Sequence, residues 1–269
     1  MIGSPIRQCI YHQRWFPRDF LVRFIRAYDK ETSSVWIVPD VMEEGATKRP
    51  GIGYWVKSNA RILQNFLKEG KYKAIDNKAY WRKDMHEHIW KILVEDSILR
   101  FDRIIEKLES IKFPMERKEA FLPIIKVDDP FNHYYVNCSK PIRGLQCVLI
   151  LDEPSDKMIE EESDDENKYP DNKKSKKSKD SYIPLKIPSD HIGSIEKVSY
   201  YSSNNVNGDY VTQNIPFYYV KTIWGDQGIE KIKKYLHLEE NQNPMIGIIC
   251  MPQTKQLALS LWKLRNYWQ

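Results

Sequence analysis

Cysteine is scarce in this chain of 269 residues: there are four, at Cys9, Cys138, Cys147 and Cys250, with no CxxC pair among them. That excludes a dense disulfide scaffold and an all-cysteine zinc site, and it fits a reducing compartment. Cys9 and His12 stand at CxxH spacing, but no second pair follows. His86 and His88 are two apart on an expected helix and so point to different faces, which leaves no metal site. Glycine is also sparse, at 11 residues, and the nearest approach to a glycine-rich loop is Gly51-Ile52-Gly53. No Walker loop, dinucleotide fingerprint, hydrolase elbow or HExxH helix is present, so the sequence implies neither a cofactor nor an enzyme. The longest apolar runs, around Leu145 to Leu151 and Met245 to Met251, are strand-sized and far short of the ~20 residues that cross a bilayer, so no membrane span is expected. Acidic residues are nearly missing from the first 28 positions, where Asp19 stands alone against Arg7, Arg14, Arg18, Arg23 and Arg26.

What is present can fold. Hydrophobic residues make up 41% of the chain and aromatics 12%, enough for real cores. One stretch cannot contribute to them. Residues 152–179 hold an acidic block followed by a basic one with almost nothing to bury, which predicts a disordered, solvated insertion. The expected division is a first domain at 1–112 and a second at 117–269 that this insertion interrupts.

In the first domain Asp19 to Val38 alternates as a β-hairpin bracketed by Pro17 and Pro39. A third strand is expected near Pro50 to Val56. Ser58 or Asn59 then caps a helix that runs through Lys68 with Ile62, Leu63, Phe66 and Leu67 on its apolar stripe, and Gly70 ends it. Helical spacing from Asp84 to about Ile111 predicts one long helix or two in succession. In the second domain three apolar runs read as buried strands: Gly144 to Leu151, Ile215 to Val220 and Pro244 to Met251. They alternate with helices expected at Gly225 to Leu236 and Gln253 to Tyr267, which suggests an α/β sandwich. The fold class expected is therefore α+β for the first part and α/β for the second.

The cations point to a ligand. The five early arginines are interleaved with Tyr11, Trp15, Phe16, Phe20, Phe24 and Tyr28, and a second basic set includes Lys48, Arg49, Lys57, Arg61, Lys68, Lys71 and Lys73. Arginine forks take phosphate bidentately and flat rings stack on unpaired bases, so this mixture suits RNA. Arg23 is expected to project from the hairpin on the side of Leu21 and Ile25, away from the buried Phe20, Val22 and Phe24. If it is instead only an ion pair, Asp19 or Glu31 is the expected partner.

Three strings then carry a resemblance. Pro5-Ile6-Arg7-Gln8-Cys9-Ile10, Pro17-Arg18-Asp19-Phe20-Leu21-Val22-Arg23-Phe24, and Gly51-Ile52-Gly53-Tyr54-Trp55-Val56 ahead of a basic Arg61 to Lys73 helix resemble, in order and spacing, the bacterial YlxR family. The resemblance covers residues 5 to about 95. It implies a small RNA-binding domain with contacts by Arg7, Arg18 and Arg23. Apart from the resemblance, if the glycine strand with Tyr54 and Trp55 and the helix after it lie beside the hairpin, Arg14 and the second set of Lys48, Arg49, Lys57, Arg61, Lys68, Lys71 and Lys73 form one surface with them. Ile52 stands where that family has arginine. The stretch from Ile215 through the closing helix is similar in outline to kink-turn-binding ribosomal proteins of the L7Ae type, an α/β/α sandwich, without their RNA-contacting glycine turn. The implied partners are ribosomal RNA, transfer RNA or ribonuclease P RNA, with ribosomal proteins as a further class. A bacterial-type RNA binder carrying a low-complexity insertion points to an organelle, and the arginine-rich start agrees in composition with a mitochondrial matrix address. The expected function is noncatalytic RNA binding in RNA processing or translation. The alternative is an assembly factor of the mitochondrial ribosome or of a respiratory complex.

Overall fold

The computed structural model describes residues 4–40, 52–110, 124–127, 134–135, 144–151, 192–201, 210–239 and 245–268. The insertion expected at 152–179 lies outside them, as do Lys48 and Arg49.

The first half is built on five strands: β1 (Ile6–Cys9), β2 (Arg14–Pro17), β3 (Leu21–Asp29), β4 (Ser34–Pro39) and β5 (Tyr54–Lys57), in the order β2-β1-β5-β3-β4. β3 and β4 form the expected hairpin, in register from Asp29↔Ser34 to Phe24↔Pro39. β5 completes the sheet between β3, which it meets antiparallel, and β1, which it meets in parallel at Cys9↔Trp55. The hairpin β1–β2 was not expected. Its strands are only four residues each, and Gln13 at φ 56 makes the turn without the glycine that usually announces one.

Asn59 caps α1 (Ala60–Lys68), its side-chain oxygen accepting from the Ile62 amide at 3.1 Å. Leu63 and Phe66 are buried and Ile62 and Leu67 half-buried, so the stripe read from the sequence is the face that packs. Gly70, at φ 65, stops the helix. α2 (Met85–Ser110) is a single helix of 26 residues.

The second half has six strands: β6 (Ile124–Val127), β7 (Tyr134–Tyr135), β8 (Leu145–Ile150), β9 (Ile195–Tyr201), β10 (Tyr210–Tyr219) and β11 (Met245–Ile249), in the order β6-β11-β8-β10-β9-β7. β8 and β10 run parallel, while β11 lies antiparallel to both β8 and β6. The strand expected at Ile215 to Val220 is the end of the longer β10, whose polar first half pairs with β9. Val220 instead opens α3 (Val220–Leu236). The start expected at Gly225 is a kink inside that helix, where φ is 67 and ψ is −171. Thr254 precedes α4 (Lys255–Tyr267).

Both halves thus mix α and β, with two mixed sheets and four helices among the described residues. One apolar cluster runs through both. It takes Val22, Phe24 and Val56 from the first sheet, Leu149, Tyr218 and Ile246 from the second, and residues of α1 to α4. The joint is α2. Its Ser97 accepts from Trp224 Nε1 of α3 at 2.7 Å, its Phe101 ring meets Trp224, and the carbonyl of its His86 accepts from the Tyr267 hydroxyl of α4 at 2.7 Å. No helix among the described residues is long and apolar enough to cross a membrane.

Candidate nucleic-acid interface

Arg23 corrects an expectation. Opposite residues of an antiparallel pair share a face. Arg23, opposite Trp55, therefore lies on the other side of the sheet from Val22 and Phe24, as the alternation required. It is not offered to solvent from there, because Leu21 and Ile25 beside it are buried too. Its guanidinium donates to the carboxylate of Asp40, with side chains 15% and 2% exposed, so neither Asp19 nor Glu31 is the partner. The Asp40 amide also donates to the Arg23 carbonyl at 2.7 Å. Gly53 belongs to this arrangement: a Cβ there would run into the Arg23 side chain, so glycine lets the arginine lie across the chain.

The other expected contacts divide by element. On the first hairpin Arg7 and Arg14 are exposed, and the pairing Arg7↔Phe16 and Gln8↔Trp15 turns Trp15 to the face opposite Arg14, where its ring is 67% exposed. Arg18, in the short 3-10 turn ahead of β3, places its guanidinium 5.7 Å from the centroid of the half-buried Trp55, a cation–π contact. Tyr54 stands opposite Phe24 and packs partly on the core. Arg61 and Lys68, two turns apart on α1, are exposed on one outer face, and Lys73 is exposed in the turn beyond.

Around the hairpin turn, cations distant in sequence come together. Parallel pairing of β1 with β5 brings Lys57 to the end of β1, where its amide donates to Cys9 Sγ at 3.3 Å. α1 returns the chain so that Lys71 Nζ lies 4.2 Å from the centroid of Tyr11. The Tyr11 hydroxyl donates to Glu69 at 2.9 Å, and Glu69 also accepts from Lys71 at 2.7 Å. These bonds hold the Glu69 carboxyl below its usual range and the Lys71 ammonium above its own, so both stay charged at neutral pH. His12 is the centre of the group. Its Nδ1 lies 3.4 Å from Cys9 Sγ, and its ring meets those of Tyr11 and Phe16 edge-on. Burial, and then the charges of Lys57, Arg14 and Lys71, hold its imidazole below the usual range. Side chains from β2, β5 and the turn after α1 thus all bear on His12, with Glu69 held by Lys71 and Tyr11.

Arg14, Lys57 and Lys71 are among the residues expected on one basic surface, whereas Tyr11 and His12 are not among the expected contacts. The missing information was the β1–β5 pairing, for which no local signal exists. No family model, curated protein or solved structure matches this chain.

Proposed function

We propose that this protein is a noncatalytic RNA-binding protein that takes the phosphates of RNA at the hairpin-turn end of its first sheet. The observation that carries the reading is the placing of cations from separate elements at one end of the sheet: Lys71 lies 4.2 Å from the Tyr11 ring and Arg18 5.7 Å from the Trp55 ring, with Arg14 on β2 and Lys57 on β5. Phosphate needs positive potential and bases need exposed rings; Trp15 is such a ring, on the face of β2 opposite Arg14. The resemblance of the three strings to YlxR proteins adds to the same reading and suggests ribosomal, transfer or ribonuclease P RNA as the class of target.

The test is the salt dependence of RNA affinity, followed by fluorescence anisotropy. Contacts by Arg7, Arg14, Arg18, Lys57 and Lys71 at ~0.7 each give a slope of log K against log salt of about −3 to −4. Reversing charge in Arg14→Glu with Lys57→Glu should flatten the slope by roughly 1.4 and weaken binding at every salt concentration. A salt-insensitive affinity, or a double variant that binds like the parent, overturns the proposal.

A second reading, an assembly factor that docks protein, is favoured by Ile6 and Trp15, which share one outward face of the β1–β2 hairpin at 58% and 67% exposure. Under it Trp15→Ala abolishes capture of a ribosomal or respiratory-complex protein while RNA affinity is unchanged.

A further inference from the structure

At the other end of the same sheet lies a hollow that the RNA reading does not use. β5 stops pairing with β3 at Phe24↔Tyr54, and β3 continues past it to Asp29. Beyond that point Ile25, Arg26, Ala27, Tyr28, Val35, Ile52 and Asp76 enclose an open cavity of about 290 Å³. Three features give it a chemical character. Tyr28 and Ile52 are 63% and 70% exposed, a large apolar pair left in water at its mouth. The Tyr28 ring makes no aromatic contact among the described residues. At the polar end the half-exposed Arg26 guanidinium lies 3.5 Å from Asp76, at the limit of a hydrogen bond. Asp76 also accepts from the Lys78 amide at 3.0 Å, which fixes its carboxylate and still leaves acceptor capacity.

The volume is at the bottom of the ~300–1,000 Å³ range of small-molecule sites, room for one flat ring system and too little for a helix or a larger ligand. A hollow lined by an exposed aromatic ring, an exposed aliphatic side chain and a carboxylate paired with a guanidinium matches an unpaired nucleobase with its phosphate. A carboxylate can accept from an exocyclic amine, which cytosine, adenine and guanine carry and uracil lacks.

The position favours a base that belongs to a strand. Lys71 closes on Tyr11 in the hairpin-turn group, and Asp76 closes on Arg26 at the hollow. Only the residues between them separate the two sites, and most of those form a single 3-10 turn. Along the sheet, Tyr28 lies seven residues beyond Leu21, the partner of Lys57, so the two sites are about 23 Å apart at ~3.3 Å per residue, a span a strand of several nucleotides covers. The exposed Lys73 lies on the way.

We infer that the hollow between Tyr28 and Ile52 is a base subsite of the RNA track, selecting a nucleobase with an exocyclic amine through Asp76. The inference rests on the RNA reading above. The experiment uses the full chain with ten-nucleotide oligocytidylate and oligouridylate, free cytidine monophosphate, and a series of cytidylate strands each lacking one base. The parent protein should bind the cytidine strand at least about five-fold more tightly than the uridine strand. Asp76→Asn should erase that preference, and Tyr28→Ala should lower affinity for the cytidine strand roughly 5- to 100-fold, the range for one stacked base. Among the base-deleted strands at least one should show the same loss with the parent protein, a readout that survives if Tyr28→Ala does not fold. Parent protein that binds both strands equally, with no cost for any missing base, overturns the subsite and leaves phosphate binding standing. Tight competition by free cytidine monophosphate reassigns the hollow to a free nucleotide and overturns its place on the track. Parent protein that binds neither strand overturns both readings.

Discussion

Arg23→Ala should unfold this protein more readily before it affects any ligand. The ion pair with Asp40 joins side chains that are 15% and 2% exposed, so the carboxylate is nearly out of water and its cation is mostly so. Removing one partner of a buried pair costs about 3–5 kcal/mol, because the other charge keeps its desolvation penalty and loses the attraction that offset it. A surface pair would cost only about 0–1 kcal/mol. At roughly 2–4 °C per kcal/mol for a domain somewhat smaller than this chain, the buried case predicts a Tm lower by about 6–20 °C. The assay is thermal denaturation followed by circular dichroism, repeated in urea to confirm that the midpoint moves with an unchanged m-value. A second variant isolates the cause: Arg23→Met with Asp40→Asn removes both charges while keeping much of the volume, and should recover a large part of the loss. If Arg23→Ala leaves Tm within 1 °C and instead weakens RNA binding, the guanidinium serves the ligand and the reasoning fails.

Three further outcomes follow from the geometry. Burial holds the imidazole of His86 below the ordinary 6.5, against the opposing charges of Glu87 and Asp84, and His12 and His88 are lowered as well. The unfolded chain therefore binds more protons between the folded and unfolded values. Stability is full above about pH 6.5 and falls as pH drops through the folded value, and His86→Gln should flatten part of that decline in a series of urea melts. Gly225→Ala should cost about 1–3 kcal/mol in chemical denaturation although a Cβ there meets nothing within 4 Å, because φ 67 with ψ −171 lies in a region that essentially only glycine occupies. Trp224→Phe removes the 2.7 Å hydrogen bond to the buried Ser97 and should cost about 1 kcal/mol, with tryptophan fluorescence and circular dichroism reporting one common midpoint; two separated midpoints would show that α2 does not join the halves.

The parts of the fold that could be read from the sequence are those whose cause is local. The β3–β4 hairpin follows from alternation between prolines, and α1 from an asparagine cap, a stripe and a terminating glycine. The register of that hairpin even contains the Arg23–Asp40 pair, since counting back from Asp29↔Ser34 sets residue 23 opposite residue 40. What could not be read depends on distant chain segments or on residues that do not advertise their conformation. Gln13 turns a hairpin without a turn sequence, and the polar Tyr210 to Asn214 becomes strand because β9 supplies its partner. The helix expected from Gly225 to Leu236 starts where Gly225 departs from helical geometry, and the part that could not be read is the short helical turn from Val220 ahead of it. The hairpin-turn group follows the same rule. Its basic residues were visible one by one, but their meeting at His12 needs β5 beside β1 and α1 folded back, a pairing of residues 9 and 55 that composition cannot specify.

The way the halves join bears on how the first sheet can work. Arg18 reaches Trp55 from a short turn whose last residue, Phe20, packs edge-on against Trp262 of α4 at 4.7 Å. The turn is thus held from below by the second half while its arginine faces the sheet of the first. α2 repeats the pattern along its length. At its start Trp90 stacks on Tyr267, and farther along Asp102 takes Lys231 of α3 at 2.7 Å. A rigid ring or guanidinium binds a base or phosphate well only if little freedom is lost on binding, because each rotamer-rich side chain that must be ordered costs about 0.5–1.5 kcal/mol. The second sheet need not touch RNA to matter under the proposed function. Under that reading it is helices α3 and α4 of the second half that hold α2 and the turn at Arg18, which lowers that cost for the first sheet in advance and gives the second half a physical part in binding.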